Sequence, residues 1–103
     1  MTPSIEESEQ KRRELLFPQL EAGFTHIRSG RSGYLYYKKD GRMLELYTEM
    51  SAVPEYHFLV WQEGLDTWVY PNRESLWAEE KKRISEELVY WLSKHGHKTD
   101  FEG

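Results

Sequence analysis

The chain contains the segment YLYYKKDGRMLELY at residues 34–47, in which two runs of strand-forming residues flank Asp40-Gly41. Asp-Gly favours a type I′ turn, because both central residues of that turn need a positive φ. The segment therefore predicts a β-hairpin whose two-residue turn fixes the pairing of the strands. The expected cross-strand pairs are Lys39–Arg42, Tyr37–Leu44, Leu35–Leu46, Tyr36–Glu45 and Tyr34–Tyr47.

This register gives the predicted hairpin two different sides, because successive side chains of a strand point to opposite faces. One side carries four bulky residues that suit a core: Leu35, Tyr37, Leu44 and Leu46. The other side carries Tyr34, Tyr36, Met43, Glu45, Tyr47 and Glu49. An ordinary solvent face does not need three tyrosines, so the second side is a candidate binding surface.

Helices are expected at both ends of the chain. The N-terminal helix has a thin apolar stripe, and Pro18 disfavours the α conformation at Phe17, so the helix should end or kink there. The C-terminal helix is expected after Asn72, a good N-cap residue. Its apolar positions follow the spacing of one buried stripe: Trp77, Ile84, Leu88, Trp91 and Leu92.

A second hairpin is predicted from residues 56–62 and 67–70, which are rich in β-branched and aromatic residues. A connecting loop of two or four residues would place Trp61 opposite Trp68, whereas a three-residue loop would turn one strand over. Residues 25–28 form a plausible short strand, and the sequence leaves open whether that strand joins the sheet.

These elements predict one α+β domain over residues 1–103, with a frayed tail at 97–103. Its architecture would be an N-terminal helix, a four- to five-stranded antiparallel sheet built from hairpins, and a C-terminal amphipathic helix packed on one sheet face. Three residues of the second hairpin, Phe58, Val60 and Val69, are assigned to the covered face, although which face of 56–70 is buried stays open. The N-terminal helix could instead cover the second face.

Composition narrows the possible functions. The 103 residues include no cysteine, which excludes disulfides, thiolate catalysis and cysteine-based zinc sites. No apolar stretch approaches the roughly 20 residues that span a bilayer, so a cytoplasmic protein without membrane contact is expected. The net charge is −4, and the region from Met43 to Asn72 has five acidic residues and no Lys or Arg. A nucleic-acid partner is therefore disfavoured, and a basic protein partner is favoured.

Catalytic motifs are missing from the sequence. There is no HExxH helix, no nucleophile elbow and no glycine-rich phosphate loop before a helix. Four histidines are present, at 26, 57, 95 and 97. His95 and His97 could ligate a metal weakly, but Asp100 is the one carboxylate near them, and His57 suits a structural role better than that of a general base. The sequence thus predicts no catalytic residue, metal or cofactor, and it favours a protein that is not an enzyme.

The candidate partner-binding residues are aromatic anchors with carboxylates between them: Tyr34, Tyr36, Glu45, Tyr47, Glu49, Trp61, Glu63, Asp66 and Trp68. Tyrosine and tryptophan bury large areas with few rotors, and acidic groups would steer a basic partner. In length, charge and layout the chain resembles the small acidic immunity proteins of bacterial toxin–immunity systems. That resemblance rests on composition and layout, and it implies a small bacterial protein-binding domain that acts by occlusion.

Two other functions fit the same residues. The aromatic face could form a permanent interface in a homodimer or in a subunit of a larger complex. Alternatively, an aromatic pocket between sheet and helix could bind a small ligand or support an enzyme, which would require a concave site with a perturbed His or Glu.

Overall fold

The computed structural model describes residues 5–50, 57–95 and 98–102. Within these ranges the chain forms two α-helices, seven strands and two short 3-10 helices. In chain order the helices and strands are α1 (Ile5–Leu16), β1 (Gly23–Ser29), β2 (Ser32–Lys39), β3 (Arg42–Met50), β4 (His57–Trp61), β5 (Thr67–Trp68), β6 (Glu74–Ser75), α2 (Ala78–Lys94) and β7 (Lys98–Glu102). The 3-10 helices are Phe17–Gln19 and Gln62–Leu65.

The main sheet has the strand order β1-β2-β3-β4-β7, and β5 pairs with β6 in a separate small sheet. Strands β1 to β4 are antiparallel to their neighbours, whereas β7 runs parallel to β4. The predicted α+β class, with an N-terminal helix, an antiparallel sheet and a C-terminal helix, is confirmed.

The central hairpin forms as the sequence predicts. All five expected pairs of β2 and β3 are present, and Asp40 and Gly41 have φ of 50° and 77°, the positive values that a type I′ turn requires. Residues 25–28 lie inside β1, which joins the sheet beside β2. The turn between β1 and β2 places Gly30 at φ 66°, as a type II′ turn does with glycine at its first central position.

The first helix ends where Pro18 predicts, whereas the second begins later than expected. Helix α1 ends at Leu16, and the chain tightens into the 3-10 helix that contains Pro18, as the ring of proline dictates. Helix α2 begins at Ala78 instead of directly after Asn72. The Glu80 carboxylate accepts the backbone N–H of Trp77 at 3.2 Å and so satisfies a donor at this later start. Trp77 is consequently exposed and does not belong to the buried stripe.

Helix α2 covers one side of the main sheet, which we call the α2 side. The core there consists of ten buried residues: Leu35, Tyr37, Leu44, Leu46, Val60, Leu65, Trp68, Ile84, Leu88 and Leu92. The first four are the bulky side of the central hairpin, and Ile84, Leu88 and Leu92 are the stripe of α2. Each fully buried leucine contributes about 1.5–3 kcal/mol of hydrophobic stabilisation, so this contact holds the helix on the sheet.

The predicted hairpin of 56–62 with 67–70 does not form, and this expectation was wrong. After β4 the chain turns through the 3-10 helix Gln62–Leu65, and β5 pairs with β6. The reason lies at Gly64, where a Cβ atom would come within 2.5 Å of the Glu45 carbonyl oxygen. Glycine lets the 3-10 helix press directly on the backbone of β3, which carries the chain across the sheet instead of back along β4.

This path exchanges the sides predicted for Trp68 and Val69. Trp68 is buried on the α2 side, whereas Val69 joins a cluster on the opposite side. The backbone N–H of Val69 donates to the Met43 carbonyl, and the N–H of Met43 donates to the Tyr70 carbonyl. The start of β3 therefore fixes which way these side chains point.

The C-terminal segment forms a strand where a frayed tail was expected. Residues Lys98–Glu102 pair with His57–Trp61 in parallel, which needs the long crossover that α2 provides. Because 67–70 does not pair with β4, the outer edge of β4 is available to β7. His97 and Gly103, also assigned to the tail, lie outside the described residues. Neither described helix is long and apolar enough to cross a membrane.

Candidate functional site

The side of the sheet opposite α2 is divided into a covered half and an open half. We call it the α1 side, because the C-terminal part of α1 and the 3-10 helix after it pack there. The covered half holds the buried residues Leu20, Tyr36, Met43 and Val69, with Leu16, Phe17 and Tyr70 packed against them. The Phe17 and Tyr70 rings stack with their centres 4.3 Å apart.

A charged cluster fastens α1 to the covered half. Arg13 donates to one carboxylate oxygen of Glu45 at 2.8 Å, and both side chains are only 7% exposed. Arg12 donates to the other Glu45 oxygen at 3.2 Å and to the Tyr36 hydroxyl at 2.8 Å. Glu9 lies 3.6 Å from Arg13 on the outer side. One carboxylate of β3 is thus held by two arginines of α1.

The ionisation of this cluster follows from its surroundings. Burial raises the pKa of Tyr36 to about 12, and the Glu45 charge adds to that effect. Burial alone would favour protonated Glu45, but the hydrogen bond and charge of Arg13, with help from Tyr36 and Arg12, lower the pKa of this carboxyl. At neutral pH the site therefore holds an ionised carboxylate and a neutral phenol, which suits a structural anchor and not a general base.

The open half of the α1 side presents a row of large side chains that crosses the strands. Ile27 pairs with Tyr34, and Tyr34 pairs with Tyr47, so these residues stand side by side on β1, β2 and β3. Trp61 of β4 continues the line, with its ring centre 5.0 Å from that of Tyr47. We call Ile27, Tyr34, Tyr47 and Trp61 the aromatic row. The first three are 44%, 36% and 37% exposed, and Trp61 is half-buried.

The aromatic row has a charged residue on each flank. On the flank nearer α1, the Arg12 guanidinium lies 5.5 Å from the centre of the Tyr34 ring. A groove of about 350 Å³ runs between α1 and the row and is lined by Arg12, Leu16 and Tyr34 among others. On the other flank stands Glu49, which is half-buried and pairs in register with Leu59 and Ser32. The ring faces thus lie between a cation and a carboxylate.

The structure brings together four of the nine predicted partner-binding residues: Tyr34, Tyr47, Glu49 and Trp61. The other five predicted residues do not lie among these exposed groups. Two of them are covered by α1, and three lie on the other side of the sheet. Tyr36 and Glu45 share the predicted side but are covered by α1, because the two arginines hold the helix there. The thin apolar stripe of α1 gave no indication in the sequence that this helix would cover Tyr36 and Glu45.

The remaining three predicted residues lie on the other side of the sheet. Trp68 is 1% exposed in the core beneath α2, and the Arg42 guanidinium lies 4.3 Å from the centre of its ring. Asp66 is paired with Lys81 of α2, which places it on the α2 side. Glu63 belongs to the 3-10 helix whose Leu65 enters the same core. Neither acidic group therefore belongs to the aromatic row or its flanks.

Sequence reasoning missed Ile27, Arg12 and Arg13 at this site. Ile27 could have been found, because extending the register of the central hairpin through the Gly30 turn places it beside Tyr34. The arginines carry no comparable signal, since they occupy a charged helix whose orientation on the sheet the sequence does not fix. Within the described ranges no three metal-binding side chains come together.

Comparison of the chain with protein-family models, with curated proteins and with solved structures gave no match in any of the three.

Proposed function

We propose that this chain is a small non-catalytic protein-binding domain that masks a surface of a partner protein with the aromatic row. The observation that carries the proposal is the row itself: Tyr34 and Tyr47 remain more than a third exposed on the inner strands β2 and β3, and Ile27 of β1 is exposed beside them. Exposed large apolar groups in one contiguous line are typical of interaction sites.

The geometry of the row suits a binding anchor. Tyr34 and Tyr47 meet edge-on, with ring centres 5.8 Å apart and an angle of 70° between the rings. Tyr47 and Trp61 meet in a similar way at 61°. Because each ring holds its neighbour, little rotamer freedom remains for a partner to remove, and the cost of ordering these side chains on binding is low.

The flanking charges suit orientation of the partner. Glu45 would have been part of an acidic surface, but its charge is balanced by Arg12 and Arg13. Glu49 is therefore the carboxylate that would bind a basic group of the partner, and Arg12 would bind an acidic or aromatic group. We propose that the partner presents an apolar patch with a basic residue opposite Glu49, and that the complex forms in the cytoplasm.

The mechanism would be occlusion, as in immunity proteins. A rigid sheet face that covers a functional surface of its partner needs no chemistry of its own. The row crosses four strands of one sheet, so it offers a firm surface that can exclude water around the contact.

A capture experiment with matched tyrosine variants tests the proposal. The wild-type chain, a Tyr34→Ala/Tyr47→Ala variant and a Tyr90→Ala control would each be used as bait in an extract of the source cells. Tyr90 is 69% exposed on α2, so its truncation removes a comparable ring from the other side of the sheet. Folding of each bait would be checked by circular dichroism.

The expected result is a stoichiometric partner that binds the wild type and the Tyr90→Ala control. With the purified partner, calorimetry should show at least about 30-fold weaker binding for the double variant, since one anchor residue contributes roughly 2 kcal/mol or more and the effects of neighbouring anchors do not add. Glu49→Lys should lower the association rate with a basic partner and leave the melting temperature unchanged. A folded double variant that binds as tightly as the wild type would refute the proposed site.

A further inference from the structure

The main sheet has two edges that differ in composition. In the described part of the chain, β1 has a strand neighbour on one side only, and so does β7. Natural proteins protect exposed edges with charges, proline or short strands. The edge strand β7 has three charged residues among five, whereas β1 has seven residues, no proline and Arg28 as its one Lys, Arg, Asp or Glu. The β1 edge therefore lacks the usual protection.

The hydrogen-bonding groups of β1 that face outward can be identified from its register. A two-residue turn closes on a hydrogen-bonded pair, here Ser29 with Ser32. Ile27, Thr25 and Gly23 then bond to β2 in alternation. The backbone N–H and C=O groups of the three residues between them point away from β2: Phe24, His26 and Arg28.

A groove adjoins the N-terminal end of this edge on the α2 side. It has a volume of about 570 Å³, and its lining includes Phe24 and five residues of α2: Arg83, Glu86, Glu87, Tyr90 and Trp91. The Phe24 ring centre lies 5.9 Å from that of Trp91, and Glu87 accepts a hydrogen bond from the Tyr37 hydroxyl at 2.7 Å. Aromatic faces beside carboxylates favour a cationic group.

We propose that two copies of this chain pair through β1, antiparallel, so that their main sheets join into one continuous sheet. The centre of Gly23–Ser29 is His26, and pairing all seven residues antiparallel places His26 opposite His26 of the second copy. The backbone N–H and C=O groups of His26 point away from β2, so this residue can form a hydrogen-bonded pair with its copy. The register that overlaps the two strands fully is therefore also a register in which their hydrogen bonds can form. That pairing would form six backbone hydrogen bonds, two at each of three narrow pairs, as counted from the alternation of the ladder.

The same register makes the two edges complementary in charge. It places Arg28 of each copy directly opposite Phe24 of the other, at the mouth of the groove that Glu86 and Glu87 line. Arg28 and Phe24 lie on the same side of β1, because they are four residues apart in a strand. No ion pair of Arg28 is present within the described ranges. In the dimer, the Arg28 guanidinium of each copy thus lies at the aromatic and acidic groove of the other copy. These two equivalent contacts favour a second copy of the chain over an unrelated strand.

The dimer should be weak and dependent on concentration. Two seven-residue edges with two side-chain contacts bury less than the roughly 1,200 Å² of a stable interface, so a dissociation constant in the micromolar range is expected. Sedimentation velocity of the full chain from about 1 µM to about 500 µM should show a monomer–dimer equilibrium. A chain that stays monomeric throughout this range would overturn the proposal.

Charge variants locate the interface. Arg28→Glu should raise the dissociation constant at least about tenfold, because each dimer loses two contacts and gains two repulsions with Glu86. Arg31→Glu makes the same charge change in the exposed turn beyond β1 and should leave the dimer intact. Arg28→Glu combined with Glu86→Lys should restore dimerisation. A dimer that Arg28→Glu leaves unaltered would show that another surface is used, and would overturn the proposal.

Amide hydrogen exchange gives a readout that does not depend on a mutation. On dimerisation the amides of Phe24, His26 and Arg28 should become protected, whereas those of Thr25 and Ile27 already bond to β2 and should change little. A dimer in which these five amides respond uniformly, or not at all, would contradict pairing through β1. The inference does not depend on the aromatic row, because the edge and the row are tested by different variants.

Discussion

Removal of the Glu45 carboxylate should destabilise the fold more than removal of any neighbouring acid of the sheet. Glu45 and Arg13 are each 7% exposed and lie 2.8 Å apart. Glu45→Ala would leave the Arg13 guanidinium under α1 without its inner partner, and Arg13 Nε already lacks a hydrogen-bond partner in the described part of the chain. Removing one member of a buried ion pair lowers the free energy of unfolding by about 3–5 kcal/mol, because a charge is left uncompensated.

The structure places the expected cost at the lower end of that range. Glu9 lies 3.6 Å from Arg13 and is 44% exposed, so it offers the guanidinium a second carboxylate near the surface. The Arg12 side chain is 44% exposed and can be solvated when Glu45 is removed. We therefore expect Glu45→Ala to lower the free energy of unfolding by about 3 kcal/mol. With a urea slope of about 1–3 kcal/mol per molar, the unfolding midpoint should fall by about 1–3 M.

Urea unfolding followed by tryptophan fluorescence and by circular dichroism measures this cost. Glu49→Ala is the matched control, since Glu49 lies on the same strand and face but has no ion pair within the described ranges. The control should lower the free energy of unfolding by less than about 0.5 kcal/mol, because removal of a half-buried acid without an ion pair leaves no charge uncompensated. An Arg13→Met/Glu45→Leu variant, which replaces both charges by apolar groups, should regain most of the lost stability.

The reasoning would be refuted if Glu45→Ala cost no more than Glu49→Ala. Such a result would mean that α1 does not hold Arg13 against the sheet in solution. A large loss in Glu45→Ala that the double substitution fails to recover would point instead to a packing role for Glu45, with the charge of secondary importance.

Three further outcomes follow from the same structure. Gly64→Ala should lower the urea midpoint by an amount equivalent to at least about 1–3 kcal/mol, because its Cβ would meet backbone atoms of β3 at 2.5 and 2.9 Å. Glu45→Gln should be less stable than the wild type by a constant amount above about pH 5, and this difference should shrink in acid. The reason is that a lowered carboxyl pKa stabilises the fold above the unfolded pKa of about 4.3, and this stabilisation is lost as the pH falls through the folded pKa. Burial raises the pKa of Tyr36 to about 12 and also raises the pKa of Tyr37. Both phenols should therefore ionise at a higher pH in the folded chain than in urea, which a titration of tyrosinate absorbance would show. Stability should fall as the pH rises above about 10, the pKa of tyrosine in the unfolded chain.

The extent to which the sequence predicts this fold depends on how local each determinant is. The hairpin around Asp40 and Gly41 was predicted pair by pair, because the turn and the alternation of side chains both lie within 14 residues. The path after β4 was not, because it depends on Gly64 meeting a strand that lies some 20 residues earlier in the chain. A glycine selected for close approach looks the same in the sequence as a glycine selected for a turn.

The candidate site was predicted in part for the same reason. Tyr34 and Tyr47 come from the local register, and the structure keeps them exposed side by side. Trp68 was assigned to the wrong side because its strand was paired with β4 instead of β6. Tyr36 and Glu45 were assigned to the correct side but not to the correct depth, since a pattern of alternation carries no information about which helix will cover a face.

The composition of α1 explains why coverage of the α1 side stops where it does. A helix that covers a whole sheet face needs an apolar stripe along several turns, whereas the described part of α1 brings Leu16 at its C-terminal end and arginines at 12 and 13. The arginines pack against Glu45, the first of the two acidic residues that β3 carries on this face. Past Glu45 the next residue on this face is Tyr47, which offers a ring and no charge to bind a helix of this kind. The helix is therefore held at one carboxylate, and Tyr34 and Tyr47 beyond it are left exposed.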